Sequence, residues 1–94
     1  MDDIIIDIAS MQSKAAQLHT LSDKIYTVAE KMAVIKQQLT TVWQDEAFQK
    51  FDADFASVIN RLLGLQETVI SMSKVCDTAC EEYQKAENNI MLII

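Results

Sequence analysis

The sequence contains no proline and only one glycine, Gly64, among its 94 residues. Proline breaks the interior of a helix, and glycine supplies the backbone angles that many tight turns require. The scarcity of both argues against a fold with many turns and favours long, uninterrupted helices. Half of the residues are hydrophobic and 23% are charged, which is typical of a chain that folds into one small domain.

Residue types that carry out chemistry are also scarce. His19 is the only histidine, so one chain cannot build a histidine-based triad or a multi-histidine metal site. Cys76 and Cys80 are spaced C-x-x-x-C, which differs from the C-x-x-C of redox and zinc motifs. We expect both thiols to be reduced and packed, with a cross-chain disulfide through Cys80 as the alternative. We therefore predict no enzymatic activity, no metal and no cofactor.

The net charge of −6 comes mainly from the second half of the chain. Such an acidic surface repels nucleic acid and anionic membranes, so neither is expected as a partner. The apolar runs at residues 4–6 and 90–94 are too short for a signal-peptide core or a membrane span. We expect any export to use a route that needs no cleavable signal.

Apolar residues recur every seven positions on both sides of the only tryptophan, Trp43. The first series is Ile4, Met11, Leu18, Ile25, Met32 and Leu39, with companions three residues later at Leu21, Val28, Ile35 and Val42. The second is Phe48, Phe55, Leu62, Val69, Cys76, Tyr83 and Ile90, with companions Phe51, Val58, Leu65, Met72, Ala79, Ala86 and Ile93. These spacings predict an all-α fold with helices at about 7–42 and 46–90. The short corner at 43–45 makes them an antiparallel hairpin.

Further apolar or small residues flank these series. They are Ala15, Tyr26, Ala29 and Ala33 in the first helix and Ala56, Ile59, Leu63 and Ile70 in the second. A hairpin buries one stripe per helix against itself, so a second patch requires another chain. We expect a dimer that forms a four-helix bundle through this partner interface. The alternative is that these residues widen the seam of the hairpin itself.

The length, the two helices and the tryptophan corner resemble the small WxG-type, ESAT-like helical proteins of type VII secretion. In that family a W-x-G turn joins two helices, and here the turn is Trp43-Gln44-Asp45, without the glycine. Asp45 tolerates unusual backbone angles and can cap the next helix. Tyr83 and Glu87 match the tyrosine and acid, four residues apart, of the family's secretion signal.

The resemblance implies a protein that leaves the bacterial cytoplasm and becomes secreted or surface-located. It implies recognition by a type VII secretion ATPase through Trp43, Tyr83 and Glu87. It also implies pairing as a homodimer or heterodimer, where one candidate partner is the helical N-terminal region of an LXG-type toxin. The protein would then be a secreted substrate or a targeting partner of that toxin. A structural coiled-coil tether with no role in secretion is the rival hypothesis.

Overall fold

Two long helices fold back on each other in the computed structural model, which describes residues 6–93 and the side chains of residues 6–88. Helix α1 spans Ile8–Val42 and helix α2 spans Glu46–Ile93, with residues 43–45 between them. The molecule measures 74 × 25 × 14 Å, as expected for a hairpin one helix thick. The predicted all-helical hairpin is confirmed. Of the predicted stripe, Ile4 and the side chains of Ile90 and Ile93 lie outside the described residues.

Aspartates cap the start of both helices. Asp7 accepts hydrogen bonds from the Ser10 amide at 3.0 Å and from its hydroxyl at 2.9 Å. These bonds favour the ionised carboxylate and lower the pKa of Asp7. Asp45 accepts from the Phe48 amide at 3.0 Å. Each cap satisfies an amide that has no partner within its helix.

The register of the hairpin is held by two polar contacts at separate heights. The Ser73 hydroxyl donates to the Ala15 carbonyl at 2.9 Å, and Lys36 Nζ lies 2.9 Å from Asp52 Oδ1. Ala15 and Lys36 are 21 residues apart on α1, and Asp52 and Ser73 are 21 apart on α2. The two helices therefore keep one antiparallel alignment between these contacts, without a bulge or slip.

Small side chains fill the tightest part of the seam between the helices. Ala15, Ser22 and Ala29 of α1 are buried, and so are Ser73, which faces Ala15, and Cys80 on α2. Each of them lies four residues after a member of one of the two heptad series, whereas the companion residues lie three residues after. Small residues at these positions let the helix axes approach closely, and Leu, Ile and Met of the heptad series close the seam beside them.

Three corrections to the sequence-based assignment follow. Most companion residues three positions on, although not Phe51 and Ala79, point outward, so Ile35, for example, is 48% exposed and does not belong to the core of the hairpin. Ala15 and Ala29, expected at an interface with another chain, are 1% and 3% exposed inside the hairpin. Cys80 is buried in the same seam, which removes the basis for a cross-chain disulfide through its thiol. For these positions the widened-seam alternative is the correct one.

Enlarging a seam alanine should separate the helices. Ala29→Leu places a large side chain where the helices approach closely, and we expect it to lower the free energy of unfolding by about 1–3 kcal/mol. Ala33→Leu is the matched control, because Ala33 lies one turn further along the same helix and is exposed. Urea denaturation followed by circular dichroism measures both. Equal stability of the two variants would contradict the assignment of the seam.

Candidate recognition site

The corner between the helices is an aromatic cluster built around Trp43. The indole ring packs against Phe51 and Phe48, with ring centroids 5.1 and 5.5 Å away, and Phe51 packs in turn on Phe55 at 5.5 Å. The rings are tilted, as aromatic pairs prefer. Each of these residues is half-buried, so the cluster closes the end of the seam while part of its surface remains accessible.

Asp45 connects this cluster to the start of α2. Its Oδ1 atom accepts a hydrogen bond from the Trp43 indole Nε1–H at 2.8 Å, in addition to the one from the Phe48 amide. The Trp43 amide donates to the Leu39 carbonyl at 2.9 Å and so ends α1. No residue in the described part of the chain, Gly64 included, has a positive φ. The corner therefore does not need a glycine here.

A continuous apolar surface covers one side of the hairpin, and we call it the outer apolar face. Each member lies three residues after a heptad residue of its own helix. In an antiparallel pair of helices, residues with the same offset from the seam lie on the same side. All are between 42% and 53% exposed. At 1.5 Å per residue the face is about 30 Å long. It consists of Leu21, Val28 and Ile35 of α1 and Val58, Leu65 and Met72 of α2.

A row of lysines borders the outer apolar face along α1. Lys14 and Lys24 line a surface depression together with Leu21, and Lys31 lines another with Ile35. Glu30 lies beside Lys31 in the second depression. The two depressions are thus lined by three lysines and one acid, so this edge is basic although the whole chain carries a net charge of −6.

The opposite side of the hairpin holds the remaining residues of the predicted partner interface. Tyr26 and Ala33 are exposed, and Ala56 lines a groove of about 360 Å³ with Ala33. Leu63 and Ile70 are half-buried on this side, and Ile59, also half-buried, lines the same groove as Ala33 and Ala56. Because its large side chains are more covered, this side offers less free apolar surface than the outer apolar face.

Tyr83 and Glu87 lie at the end of the molecule far from the corner. The register places the start of α1 opposite Cys80, so the helical turns that carry Tyr83 and Glu87 extend beyond it. Both side chains are exposed, with Tyr83 at 40%, and the i,i+4 spacing puts them on one face of α2. Tyr83 is thus not a core residue. About 55 Å of helix separates it from the corner, so Trp43 and Tyr83 of one chain cannot contact a ligand together.

Among the described residues, His, Cys, Asp and Glu form no cluster of three that could hold a metal ion. Neither described helix is long and apolar enough to cross a membrane. Burial raises the pKa of the Cys80 thiol, which keeps it protonated and poorly nucleophilic.

Two features of the site were not predicted from the sequence. The bond from the Trp43 indole to Asp45 was missed, although an acid two residues after a tryptophan is a visible signal. The outer apolar face was assigned to the seam, because its residues are as hydrophobic as the true seam residues. The contrast in size between Ala15, Ser22 and Ala29 and the large companion residues was the signal that could have separated them.

Comparison with known proteins places the chain in a family. The profile of the family described as "WXG100: Proteins of 100 residues with WXG" matches residues 3–88. An "ESAT-6-like protein" of Thermomonospora curvata is 23% identical over 96 residues, which cover 95% of this chain and 92% of the relative. No solved structure gives a significant match. With its helical hairpin, its tryptophan corner and a profile match over nearly its whole length, the chain belongs to the WXG100 family.

Proposed function

We propose that this protein is a non-enzymatic secretion factor, either exported itself or acting as the targeting partner of a larger effector. As a member of the WXG100 family it is a small helical protein associated with type VII secretion. The observation that carries the proposal is the combination of an uncovered apolar face with an exposed Tyr83 and Glu87, which lie beyond the level where α1 starts. The first suits a partner chain, and the second suits a receptor of the export machinery.

The partner binds on the outer apolar face and completes a four-helix bundle. Six large apolar side chains, each about half exposed, form a surface that would otherwise face water over about 30 Å of the hairpin. Covering them with a second pair of helices removes this area from water, which is the main driving force for association. The opposite side, with Tyr26 and Ala33, offers less uncovered apolar area to a partner, because more of its large side chains are already covered.

The lysine edge favours a partner that is a different chain. In two copies paired face to face with their corners at opposite ends, α1 of one copy lies over α1 of the other. Lys14, Lys24 and Lys31 of one chain would then lie near the same lysines of its partner. Like charges along the edge of a helical interface oppose pairing and select other partners. A helical chain with acids at this edge, such as the N-terminal region of an LXG-type toxin, is the proposed partner.

Antiparallel pairing also brings together two parts of a signal that one chain keeps apart. The corner of one hairpin then lies near the far end of the other, so Tyr83 and Glu87 meet a tryptophan corner or its equivalent on the partner. We propose that the type VII secretion ATPase reads this combined surface. The pair is then recognised only once assembled, which prevents export of unpaired chains.

Removing the far-end pair should block export without unfolding the protein. We expect Tyr83→Ala or Glu87→Ala to abolish secretion while circular dichroism and partner binding remain those of the parent. Tyr26→Ala is the matched control, since Tyr26 is an equally exposed tyrosine on the other helix. Immunoblotting of culture supernatants and cell lysates measures export. Normal export of both far-end variants would favour the structural-tether hypothesis.

A charge placed on the outer apolar face should prevent pairing. Leu65→Lys puts an ammonium group into the proposed interface, where desolvation without a counter-ion is costly. Ser71→Lys adds the same charge to an exposed position of α2 outside the face. Affinity-tagged versions expressed in the native host are compared by mass spectrometry of what co-purifies. We expect a helical partner with the parent and with Ser71→Lys only, and its retention by Leu65→Lys would refute the proposed face.

Neutralising the lysine edge should make the chain pair with itself. We expect the purified parent to be mainly monomeric at micromolar concentration. The double variant Lys24→Gln, Lys31→Gln should self-associate more strongly, because the repulsion between the two edges is gone. Lys50→Gln, Lys85→Gln removes the same charge from α2 away from the face. Sedimentation equilibrium measures all three, and a stable dimer of the parent that is insensitive to salt would contradict a role for this edge.

A further inference from the structure

The side chain of Asp45 makes two hydrogen bonds through a single oxygen atom. Its Oδ1 accepts from the Phe48 amide at 3.0 Å and from the Trp43 indole Nε1–H at 2.8 Å. The first bond caps helix α2, which is an ordinary role for aspartate. The second reaches back to the residue at the end of α1. One carboxylate therefore joins the start of α2 to the orientation of the tryptophan ring.

Capping helix α2 does not by itself require a carboxylate that also accepts from the indole. Serine and threonine cap helices about as well as aspartate, but their hydroxyl groups are on a shorter side chain. The carboxylate is long enough to accept from the amide and the indole at once. The ring is further restrained by Phe48 and Phe51, whose centroids are 5.5 and 5.1 Å away. The indole is thus fixed by a hydrogen bond at its nitrogen and by aromatic contacts on its ring.

We propose that Asp45 is the positioning residue of the tryptophan corner and holds the Trp43 ring in the orientation that a partner or receptor recognises. This inference rests on the proposed function, in which the corner forms half of the export signal. A ring fixed before binding avoids the loss of side-chain freedom on recognition. The aspartate that replaces the glycine of W-x-G therefore pre-orients the signal in this chain. A hydrogen bond of ordinary strength changes the population of the held orientation roughly two- to tenfold.

Substitutions at position 45 separate the hydrogen bond that caps α2 from the hydrogen bond that orients the Trp43 indole. Asp45→Asn keeps an oxygen at the same place and should preserve both bonds. Asp45→Ser and Asp45→Thr keep the cap on Phe48 but are too short to hold the indole. Asp45→Gly restores the W-x-G pattern and removes both bonds. Serine and threonine are two independent capping variants, so one of them suffices if the other folds poorly.

Nuclear magnetic resonance of the full chain reads the orientation of Trp43 directly. We expect Asp45→Asn to keep the parent's indole N–H shift, its slow hydrogen exchange and its ring contacts with Phe48 and Phe51. In Asp45→Ser and Asp45→Thr the indole N–H should exchange faster, while the melting temperature stays close to that of the parent. An unchanged indole signal in both capping variants would overturn the proposed hold.

Export of the same variants tests what the orientation is for. We expect secretion to fall with Asp45→Ser, Asp45→Thr and Asp45→Gly and to remain with Asp45→Asn. Normal secretion of a capping variant whose indole has been released would overturn the positioning role. The proposed function fails separately, through normal export of the Tyr83 and Glu87 variants, and that result leaves the indole measurements unaffected.

Discussion

Close approach of two helices along a seam of small side chains is the constraint on which the rest of this molecule depends. Ala15, Ser22 and Ala29 leave room for α2 to lie against α1, and Ser73 uses that proximity to reach the Ala15 carbonyl. A bulky residue at any of these positions would force the helix axes apart and break the hydrogen bond from Ser73 to Ala15. The polar groups in this seam are satisfied by backbone carbonyls, since Ser22 donates to His19 at 2.6 Å.

The tight seam determines where the large apolar residues go. Five of the positions four after a heptad member hold small residues, namely Ala15, Ser22, Ala29, Ser73 and Cys80, and there the larger residues three after that member rotate to one side of the hairpin. Leu21, Val28 and Leu65 are therefore available to another chain without any rearrangement of the fold. Beside the heptad series, small residues such as Ala15 and Ala29 lie inside the hairpin, and large ones such as Leu21 and Val28 lie on the face that we assign to the partner.

The heptads were sufficient to predict two helices and the corner, because the spacing of three and four residues has only one regular interpretation over such lengths. They could not decide which flank closes the hairpin. Hydrophobicity favours Ile35 and Val28 over Ala29 and Ser22, whereas close packing of two bare helices favours the small residues. Only the relative placement of both helices settles that competition, and the same holds for the bond from the Trp43 indole to Asp45.

The burial of Cys80 has a consequence for the export from a reducing cytoplasm that we propose. Cys80 is 2% exposed, and the Cys76 thiol donates to the Met11 carbonyl at 3.4 Å. Oxidants reach a buried thiol only when the surrounding structure opens. The closed seam thus shields the Cys80 sulfur from random cross-linking in an oxidising environment. Since Cys80 lies near the end of the hairpin opposite the corner, its rate of alkylation would report how often that end comes apart.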